Sequence, residues 1–252
     1  MTFISAVLFL KNRVKTVSTI YFIRHGQASF GKNNYDRLSL TGLKQSRILG
    51  NYLNTIDLRF DAIYCGTMER QVKTAAEYHA CCAETEYPAP EITHDERFNE
   101  FDGEGVLKIL LPVLLSEQPR YRFDSDNLLK DRGSFRRIFE AVMTMWSSGK
   151  YDMKGIITWD EFTMGVNSAV TGIMNIHTGG KNIAVFTSGG PISVAVQRVL
   201  NLTPQKTMDI RDMIVNTSIT RFRYSGERLM MSSFNEYPHL EKSDDKNIIT
   251  YR

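Results

Sequence analysis

The sequence predicts an α/β fold, a three-layer α/β/α sandwich with a mainly parallel central sheet and a helical insertion that forms a cap. Three observations support this fold class. Short runs of β-branched and aromatic residues have the composition of strands buried on both faces. Segments with apolar residues at helical spacing separate these runs. Two further strand-like runs near the end of the chain are joined by Ser225-Gly226, which is typical of an antiparallel pair.

The predicted strands span residues 19–23, 61–65, 92–93 and 182–186, followed by the antiparallel pair 217–224 and 228–234. Helices are predicted at 41–54, from Thr67 as the capping residue to about residue 82, and at 191–200. Thr158 and Glu161 have the spacing of a capping box, which predicts a long helix that ends near residue 177. Strands and helices that alternate in this way favour parallel pairing in one sheet.

The stretch at about 103–155 breaks this alternation, because it has helical candidates at 106–115 and 134–147. We therefore expect one domain over residues 18–252 with a cap inserted at about 103–155, preceded by an N-terminal extension of residues 1–17. The extension contains an apolar run at residues 3–10. This run is too short to span a bilayer, and it lacks the basic segment and cleavage site of a signal peptide.

Composition argues against several functional classes. The formal net charge is +3 and there is no dense run of Lys and Arg, which argues against nucleic-acid binding. The three cysteines, Cys65, Cys81 and Cys82, do not have the spacing of a zinc site. An odd number of thiols, two of them adjacent, fits a reducing cytosol. We predict a cytoplasmic protein without a metal, a cofactor or a membrane span.

Polar side chains follow the predicted parallel strands at the points where those strands end. Arg24 and His25 come after the first strand, Arg70 after the second, Glu100 after the third and Ser188 after the fourth. In an open α/β sheet, ligands bind beyond the carboxyl ends of the strands. We therefore expect these side chains to form one site. The binding residues predicted beside them are Gln27, Ser29 and Gly189.

This set of residues suits phosphoryl transfer. A neutral imidazole can attack phosphorus and form a covalent intermediate. Two guanidinium groups would neutralise the phosphate and stabilise the charge of the transition state. A carboxylic acid would protonate the leaving oxygen. Glycines allow backbone N–H groups at a helix N-terminus to approach the anion closely.

The chain resembles the histidine phosphatase superfamily, which includes the cofactor-dependent phosphoglycerate mutases. The resemblance covers roughly residues 18–240 except the insertion, and these motifs carry it: Arg24-His25-Gly26, Leu38-Ser39-x-x-Gly42-x-x-Gln45, Arg70-x-x-x-Thr74-Ala75, Asn99-Glu100, Phe234-Asn235 and His239-Leu240. It implies that His25 is the phosphorylated nucleophile and that Arg24 and Arg70 bind the phosphate. It also implies that Glu100 is the proton donor.

Two departures from the family pattern affect the predicted function. The family usually has His-Gly after the fourth strand, where this chain has Ser188-Gly189, so the second histidine is replaced by an uncharged side chain. His79 and His177 are predicted to lie too far away to replace it, whereas His94 and His239 stay open. Family mutases also continue their signature with Trp-Asn, and here residues 30–31 are Phe-Gly, which favours a phosphatase.

The sequence thus predicts a metal-independent phosphatase that acts on small phosphomonoesters through a phosphohistidine at His25. Two alternatives remain open at this stage. One is a phosphoglycerate mutase-like phosphotransferase. The other is a catalytically weak phospho-ligand-binding or interaction protein, which the loss of the second histidine at Ser188 favours. The substrate and the oligomeric state do not follow from the sequence.

Overall fold

A computed structural model describes residues 16–29, 36–128 and 130–251. Their strands form one sheet of six, in the spatial order β3-β2-β4-β1-β5-β6. The strand bounds are β1 Ser18–Arg24, β2 Ala62–Cys65, β3 Ile92–His94, β4 Asn182–Thr187, β5 Ile219–Ser225 and β6 Arg228–Glu236. The strands β1 to β4 are parallel, and β5 and β6 close one edge in antiparallel pairing. The predicted α/β fold with a mainly parallel sheet is confirmed.

Helices cover both faces of the sheet. Their bounds are α1 Leu40–Thr55, α2 Glu69–Ala83, α3 Gly103–Glu117, α4 Arg122–Asp126, α5 Arg132–Ser147, α6 Trp159–Ile176, α7 Gly189–Leu200, α8 Pro204–Met213 and α9 Pro238–Glu241. Short 3-10 turns lie at Glu96–Phe98 and Pro119–Tyr121. In the described residues no helix has both the length and the apolar character needed to cross a membrane.

Successive residues of the central strands point into two separate cores. Ile20 and Phe22 of β1 pack into a core with α5, α6 and α7 on one face of the sheet. Tyr21 and Ile23 of the same strand pack into a second core with α1 and α2 on the other face. This arrangement explains why β1 is apolar at consecutive positions, since both of its faces are covered.

Two predicted helix starts can be compared with the structure. The capping box of α6 is present, with the Thr158 side chain accepting from the Glu161 N–H and the Glu161 side chain accepting from the Thr158 N–H. The prediction that Thr67 caps α2 is wrong. Met68 is the capping residue and makes no side-chain cap bond, while the Thr67 hydroxyl accepts a bond of 2.7 Å from the Asn99 amide.

The segment predicted as a cap is helical. The candidates at 106–115 and 134–147 correspond to α3, which is longer at both ends than predicted, and to α5, which begins two residues earlier and ends at the predicted residue. Trp146 of α5 lies 6.0 Å from Phe162 of α6, measured between ring centroids, so this segment shares the core of the sheet face that it covers. Its role as a cap and the domain bounds at 1–17 and 18–252 stay predictions. Residues 1–15 lie outside the described part of the chain.

Candidate active site

The carboxyl ends of the two central strands lie side by side. Arg24, the last residue of β1, pairs with Thr187, the last residue of β4. The His25 N–H then donates to the Thr187 carbonyl over 2.8 Å. Residues 25–27 and Ser188 therefore leave the sheet at the same edge, as the predicted parallel pairing requires.

The imidazole of His25 is buried, and both of its nitrogens have partners. Nε2 lies 3.1 Å from Nε of Arg70, which can only donate, so Nε2 is the acceptor. Nδ1 lies 2.7 Å from the Gly26 carbonyl, which can only accept, so Nδ1 carries the proton. This tautomer leaves the Nε2 lone pair on the side of Arg70. The geometry is that of a neutral imidazole able to attack an electrophile from Nε2.

Burial and two nearby cations lower the pKa of His25. Desolvation is the largest cause, and the positive charges of Arg70 and Arg24 add to it. Together they hold the pKa of His25 well below its usual value. His25 is therefore neutral at physiological pH, as a nucleophilic imidazole must be.

Arg70 is placed by the first turn of α2. Its Nη1 donates to Asp36 over 2.5 Å, and the other oxygen of Asp36 accepts from the Glu69 N–H over 2.8 Å. One turn further along the helix, the Thr74 hydroxyl accepts from the Gly26 N–H over 3.0 Å. The spacing Arg70-x-x-x-Thr74 thus positions both the cation and the backbone beside His25.

The loop after His25 is bound by α1. The Gln27 N–H donates to the Gln45 side chain over 2.8 Å, and the Gln27 side-chain oxygen accepts from Ser39 over 2.7 Å. A Cβ on Gly26 would lie 2.4 Å from the Gly42 carbonyl, so only glycine fits there. The motif that contains Gly42 and Gln45 therefore supports the loop. Phosphate contact by Gln27 stays a prediction.

Ser29 lies further along the same loop. Its N–H donates to the Arg37 carbonyl over 2.7 Å, so the chain doubles back at this point. Phosphate contact by Ser29 also stays a prediction. The Phe-Gly pair at residues 30–31 lies outside the described part of the chain.

Arg24 turns toward the segment between α8 and β5. Its Nη1 donates to the Ile214 carbonyl and, over 2.8 Å, to the Tyr251 carbonyl. A Cβ on Gly189 would lie 4.0 Å from Nε of Arg24, so Arg24 also borders the start of α7. The predicted binding residues Arg24 and Gly189 are therefore neighbours.

Ser188 is fully buried at the capping position of α7. Its side chain makes no cap bond, and its hydroxyl oxygen accepts from the Gln71 amide over 2.8 Å. The same amide donates to the Phe98 carbonyl over 3.0 Å. Gln71 was not a predicted site residue, because a buried glutamine on a helix has no sequence pattern of its own.

Glu100 lies at the N-terminus of α7. Its Oε2 accepts from the Gly190 N–H over 3.1 Å, and Nε of Arg211 is 3.7 Å from the same oxygen. A Cβ on Gly190 would lie 2.0 Å from Glu100 Oε1, so the carboxylate fits only because residue 190 is glycine. The structure thus brings Glu100 and Ser188 to the same helix start.

Asn216 and Asn235 complete the support of the His25 loop. The Asn216 amide donates to the His25 carbonyl over 3.0 Å. Asn235 accepts from the Val215 N–H over 2.8 Å and donates to the Met213 carbonyl over 2.9 Å. The motif Phe234-Asn235 therefore fixes the segment that holds Arg24 and His25. Asn216 was not among the predicted residues.

The other four histidines have partners elsewhere. His79 bonds to the Pro90 carbonyl over 2.6 Å, and His177 to the Tyr64 hydroxyl over 2.9 Å. These two are distant from the site, as predicted. For the remaining two, His94 and His239, the sequence left open whether either could replace the second histidine. His94 lies 3.4 Å from the Gly66 carbonyl, and the buried His239 bonds to Thr217 over 3.0 Å.

His239 lies behind the His25 loop, because the Thr217 N–H donates to the Arg24 carbonyl. Burial lowers the pKa of His239 to about 4. No second imidazole therefore joins His25 in the described site. The described residues also contain no group of three His, Cys, Asp or Glu side chains able to hold a metal ion.

A family model agrees with this geometry. The model of the histidine phosphatase superfamily (branch 1) matches residues 20–109 and 132–237, which is well over half of the chain. The chain belongs to the histidine phosphatase superfamily. Membership supports a phosphatase-like or mutase-like activity. The unmatched residues 110–131 fall within the segment predicted as a cap.

Solved structures show the same fold at low sequence identity. A phosphoglycerate mutase from Bacillus anthracis is 16% identical with a TM-score of 0.60, and the match covers 90% of this chain and 97% of that one. A phosphoserine phosphatase from Entamoeba histolytica is 16% identical, with a TM-score of 0.59 and coverage of 88% and 99%. A mycobacterial glucosyl-3-phosphoglycerate phosphatase is 14% identical, with a TM-score of 0.59 and coverage of 88% and 100%. No curated protein matches the chain by sequence.

Proposed function

We propose that this superfamily member is a metal-independent phosphatase that hydrolyses small phosphomonoesters through a phosphohistidine at His25. The observation that carries the proposal is the tautomer of His25. Its proton is on Nδ1 and bonded to Gly26, and its Nε2 lone pair lies against the Arg70 guanidinium. A phosphoryl group bound by that guanidinium would be next to the nucleophile.

The first step transfers the phosphoryl group to the protein. Nε2 of His25 attacks phosphorus, the N–P bond forms and the ester P–O bond breaks. Glu100, in its acid form, gives its proton to the leaving oxygen. Arg24 and Arg70 hold the phosphoryl oxygens and stabilise their charge in the transition state. The buried Ser188 hydroxyl, which accepts from Gln71, donates one uncharged hydrogen bond to a phosphoryl oxygen.

The second step releases phosphate. Water attacks phosphorus, its proton goes to the Glu100 carboxylate, and the N–P bond breaks so that His25 returns to its neutral form. The fixed Nδ1–H bond to Gly26 keeps the same nitrogen available for the next turnover. Both steps balance without a metal, because the two guanidinium groups supply the positive charge.

The superfamily and the neighbouring structures leave a mutase as the alternative enzyme. A mutase differs in the second step, since the phosphoryl group returns to an organic hydroxyl rather than to water. The Phe-Gly pair at residues 30–31 favours hydrolysis. We also place the protein in the cytosol, because its three cysteines are buried free thiols, which suit a reducing compartment.

A third alternative is a phospho-ligand-binding protein with little turnover. Ser188 favours it, because a serine supplies no charge where the superfamily usually has a histidine. Such a protein would bind the phosphoryl group of its ligand through Arg24 and Arg70 and would release that ligand unchanged.

A panel of phosphorylated metabolites tests the proposal directly. The purified protein should release inorganic phosphate from at least one member, and His25→Ala should abolish that release. His79→Ala is the matched control, since His79 bonds to Pro90 away from the site. Turnover should be unchanged by EDTA. Equal phosphate release by His25→Ala and the parent would contradict the mechanism, and binding without turnover of any member would favour the phospho-ligand-binding alternative.

A further inference from the structure

The helix α8 brings an arginine to the side of the site where Ser188 supplies no charge. A Cβ on Gly189 would lie 3.3 Å from Cγ of Arg211 and 4.0 Å from Nε of Arg24. The two arginines therefore border the same glycine at the start of α7. Arg211 lies in the last turn of α8, and three residues later the Ile214 carbonyl accepts from Arg24.

Aromatic rings hold the Arg211 guanidinium in place. Its central carbon lies 5.1 Å from the ring centroid of Phe101 and 5.6 Å from that of Phe139. Contacts of this kind fix a guanidinium by cation–π attraction without using its N–H donors. The side chain is only 20% exposed. The Arg211 guanidinium is thus packed between Phe139 of α5 and Phe101, the residue that follows Glu100.

The hydrogen bonds of Arg211 leave a donor for a ligand. Nε is buried and has no hydrogen-bond partner in the described part of the chain. Its distance of 3.7 Å from Glu100 is too long for a hydrogen bond. Nη1 bonds to Asp212 over 2.9 Å, and Asp212 is 53% exposed, so this pair contributes little to stability. A phosphoryl oxygen is a suitable acceptor for such a guanidinium.

The charge of Arg211 already reaches His25. It contributes, after Arg70 and Arg24, to the lowering of the His25 pKa. Besides Asp212, the carboxylate paired with Arg211 is that of Glu100, at 3.7 Å, which bonds to the start of α7. Arg211 therefore shares the electrostatic environment of the nucleophile, the acid and the helix start.

We propose that Arg211 is a phosphate-binding residue that supplies the charged contact missing at Ser188, so that three arginines surround the phosphoryl group. The proposal rests on the proposed function, because it places phosphate at His25. It differs from a structural role in one respect. A packing residue would matter for stability, whereas a phosphate-binding residue would matter for anion affinity and would be replaceable by another cation at the same end of the sheet.

Orthovanadate binding, measured by calorimetry at low salt, tests this inference without requiring turnover. Arg211→Met keeps the apolar stem between the two rings and removes the charge. It should weaken vanadate binding about ten-fold, the effect of one charged hydrogen bond. Arg211→Lys should keep most of the affinity. Arg198→Met is the matched control, because Arg198 lies nine residues, or about 13 Å, along α7 from Gly189.

The second arm combines the change with Ser188→His. If Arg211 compensates for the missing imidazole, then Ser188→His should restore vanadate affinity to the Arg211→Met variant, and the double variant should bind within about three-fold of the parent. Arg211→Gln repeats the charge removal with different packing, and thermal unfolding checks that each variant folds. Equal affinity of the parent, Arg211→Met and Arg211→Gln would overturn the proposal. Retention of activity by His25→Ala would overturn the proposed function and leave this binding result intact.

Discussion

The ends of β1 and β4 lie side by side, but they supply the site in different ways. After β1 the chain itself carries two of the proposed site residues, Arg24 and His25, and α2 adds Arg70. After β4 the chain carries only small residues, Ser188 and two glycines. At the β1 end, His25 and Arg70 bond to Gly26 and Asp36, whereas the β4 end provides the Gly190 N–H, which donates to Glu100, and space for neighbouring side chains.

The charged side chains near the β4 end are supplied by other segments of the chain. Glu100 comes from the turn after β3, and Arg211 comes from α8. Both fit because residues 189 and 190 have no side chains, since a Cβ on Gly190 would overlap Glu100 and one on Gly189 would press on Arg211. The charged side chains at the β4 end therefore come from segments that are distant in sequence, while those at the β1 end come from one motif and one helix start.

The largest effect is expected from a substitution at the β1 end. Arg70→Ala removes the donor to His25 Nε2 and the cation that we propose binds phosphate. Vanadate affinity in low salt should fall by about ten-fold to a hundred-fold, because a charged contact in a buried site is worth roughly 1.5–3 kcal/mol. Arg37→Ala is the matched control, since Arg37 forms an exposed pair with Glu69. An Arg70→Ala affinity equal to that of the parent would place Arg70 outside the phosphate site.

A second substitution disturbs the β4 end. Gly190→Ala would place a methyl group 2.0 Å from Glu100 Oε1, so the carboxylate must move and turnover should fall about ten-fold. Gly172→Ala in α6 is the control, because nothing lies within 4 Å of a Cβ there. The control should raise the free energy of unfolding by about 0.5–1 kcal/mol, the helix preference of Ala over Gly, at unchanged turnover. Normal turnover by Gly190→Ala would exclude a catalytic position for Glu100.

A third change makes the two strand ends more alike. Ser188→His adds an imidazole at the end of β4, and turnover should rise about ten-fold if one charged hydrogen bond forms mainly in the transition state. Ser188→Ala, measured in parallel, reports the contribution of the hydroxyl and of its bond to Gln71. A loss of activity in Ser188→His, together with a loss in Ser188→Ala, would show that serine is itself adapted to this site.

The last prediction concerns stability against pH behind the β1 end and does not involve activity. The pKa of His239 is about 4 in the folded protein, against about 6.5 in an unfolded chain. Below pH 6.5 the unfolded state binds a proton that the folded state does not. The free energy of unfolding should therefore decrease as the pH is lowered from about 6.5 to about 4, by up to about 1.4 kcal/mol per pH unit for this group. Above pH 6.5 the contribution is constant.

Urea unfolding at several pH values checks this expectation. His239→Gln should unfold with a weaker acid dependence than the parent, although it loses the bond to Thr217 and is less stable at neutral pH. The pKa of His25 is lowered in the same direction, so part of the acid dependence should persist in the variant. The same slope in the parent and in His239→Gln would contradict the burial of a neutral His239.

The sequence predicted the fold and the proximity of Arg24, His25 and Arg70 at the β1 end, for a physical reason. Strand and helix periods are local, and the parallel order of the strands places their ends together whatever the loops contain. Gly42 and Thr74 belonged to recognised motifs, although their roles as supports for the Gly26 backbone came only from the structure. Thr67 failed as a cap because its hydroxyl pairs with Asn99, a residue of a distant turn.

The β4 end was less predictable, because its partners are far away in sequence. Gln71 lies one position after Arg70, yet it bonds to Ser188, and no local pattern indicates that pairing. Arg211 lies in a polar helix with other charged residues and had no distinguishing neighbour. Its position became evident only when α8 was seen to end against Arg24 and Gly189.

Detection of a phosphohistidine at His25 during turnover tests the central claim most directly. The protein is mixed with a metabolite that it turns over, labelled in the phosphoryl group, and quenched in alkali, and the peptide that contains His25 is analysed by mass spectrometry. We expect a base-stable, acid-labile phosphoryl group on His25, present in His79→Ala and absent in His25→Ala. Turnover of the same metabolite without label on His25, and with undiminished activity in His25→Ala, would contradict the account.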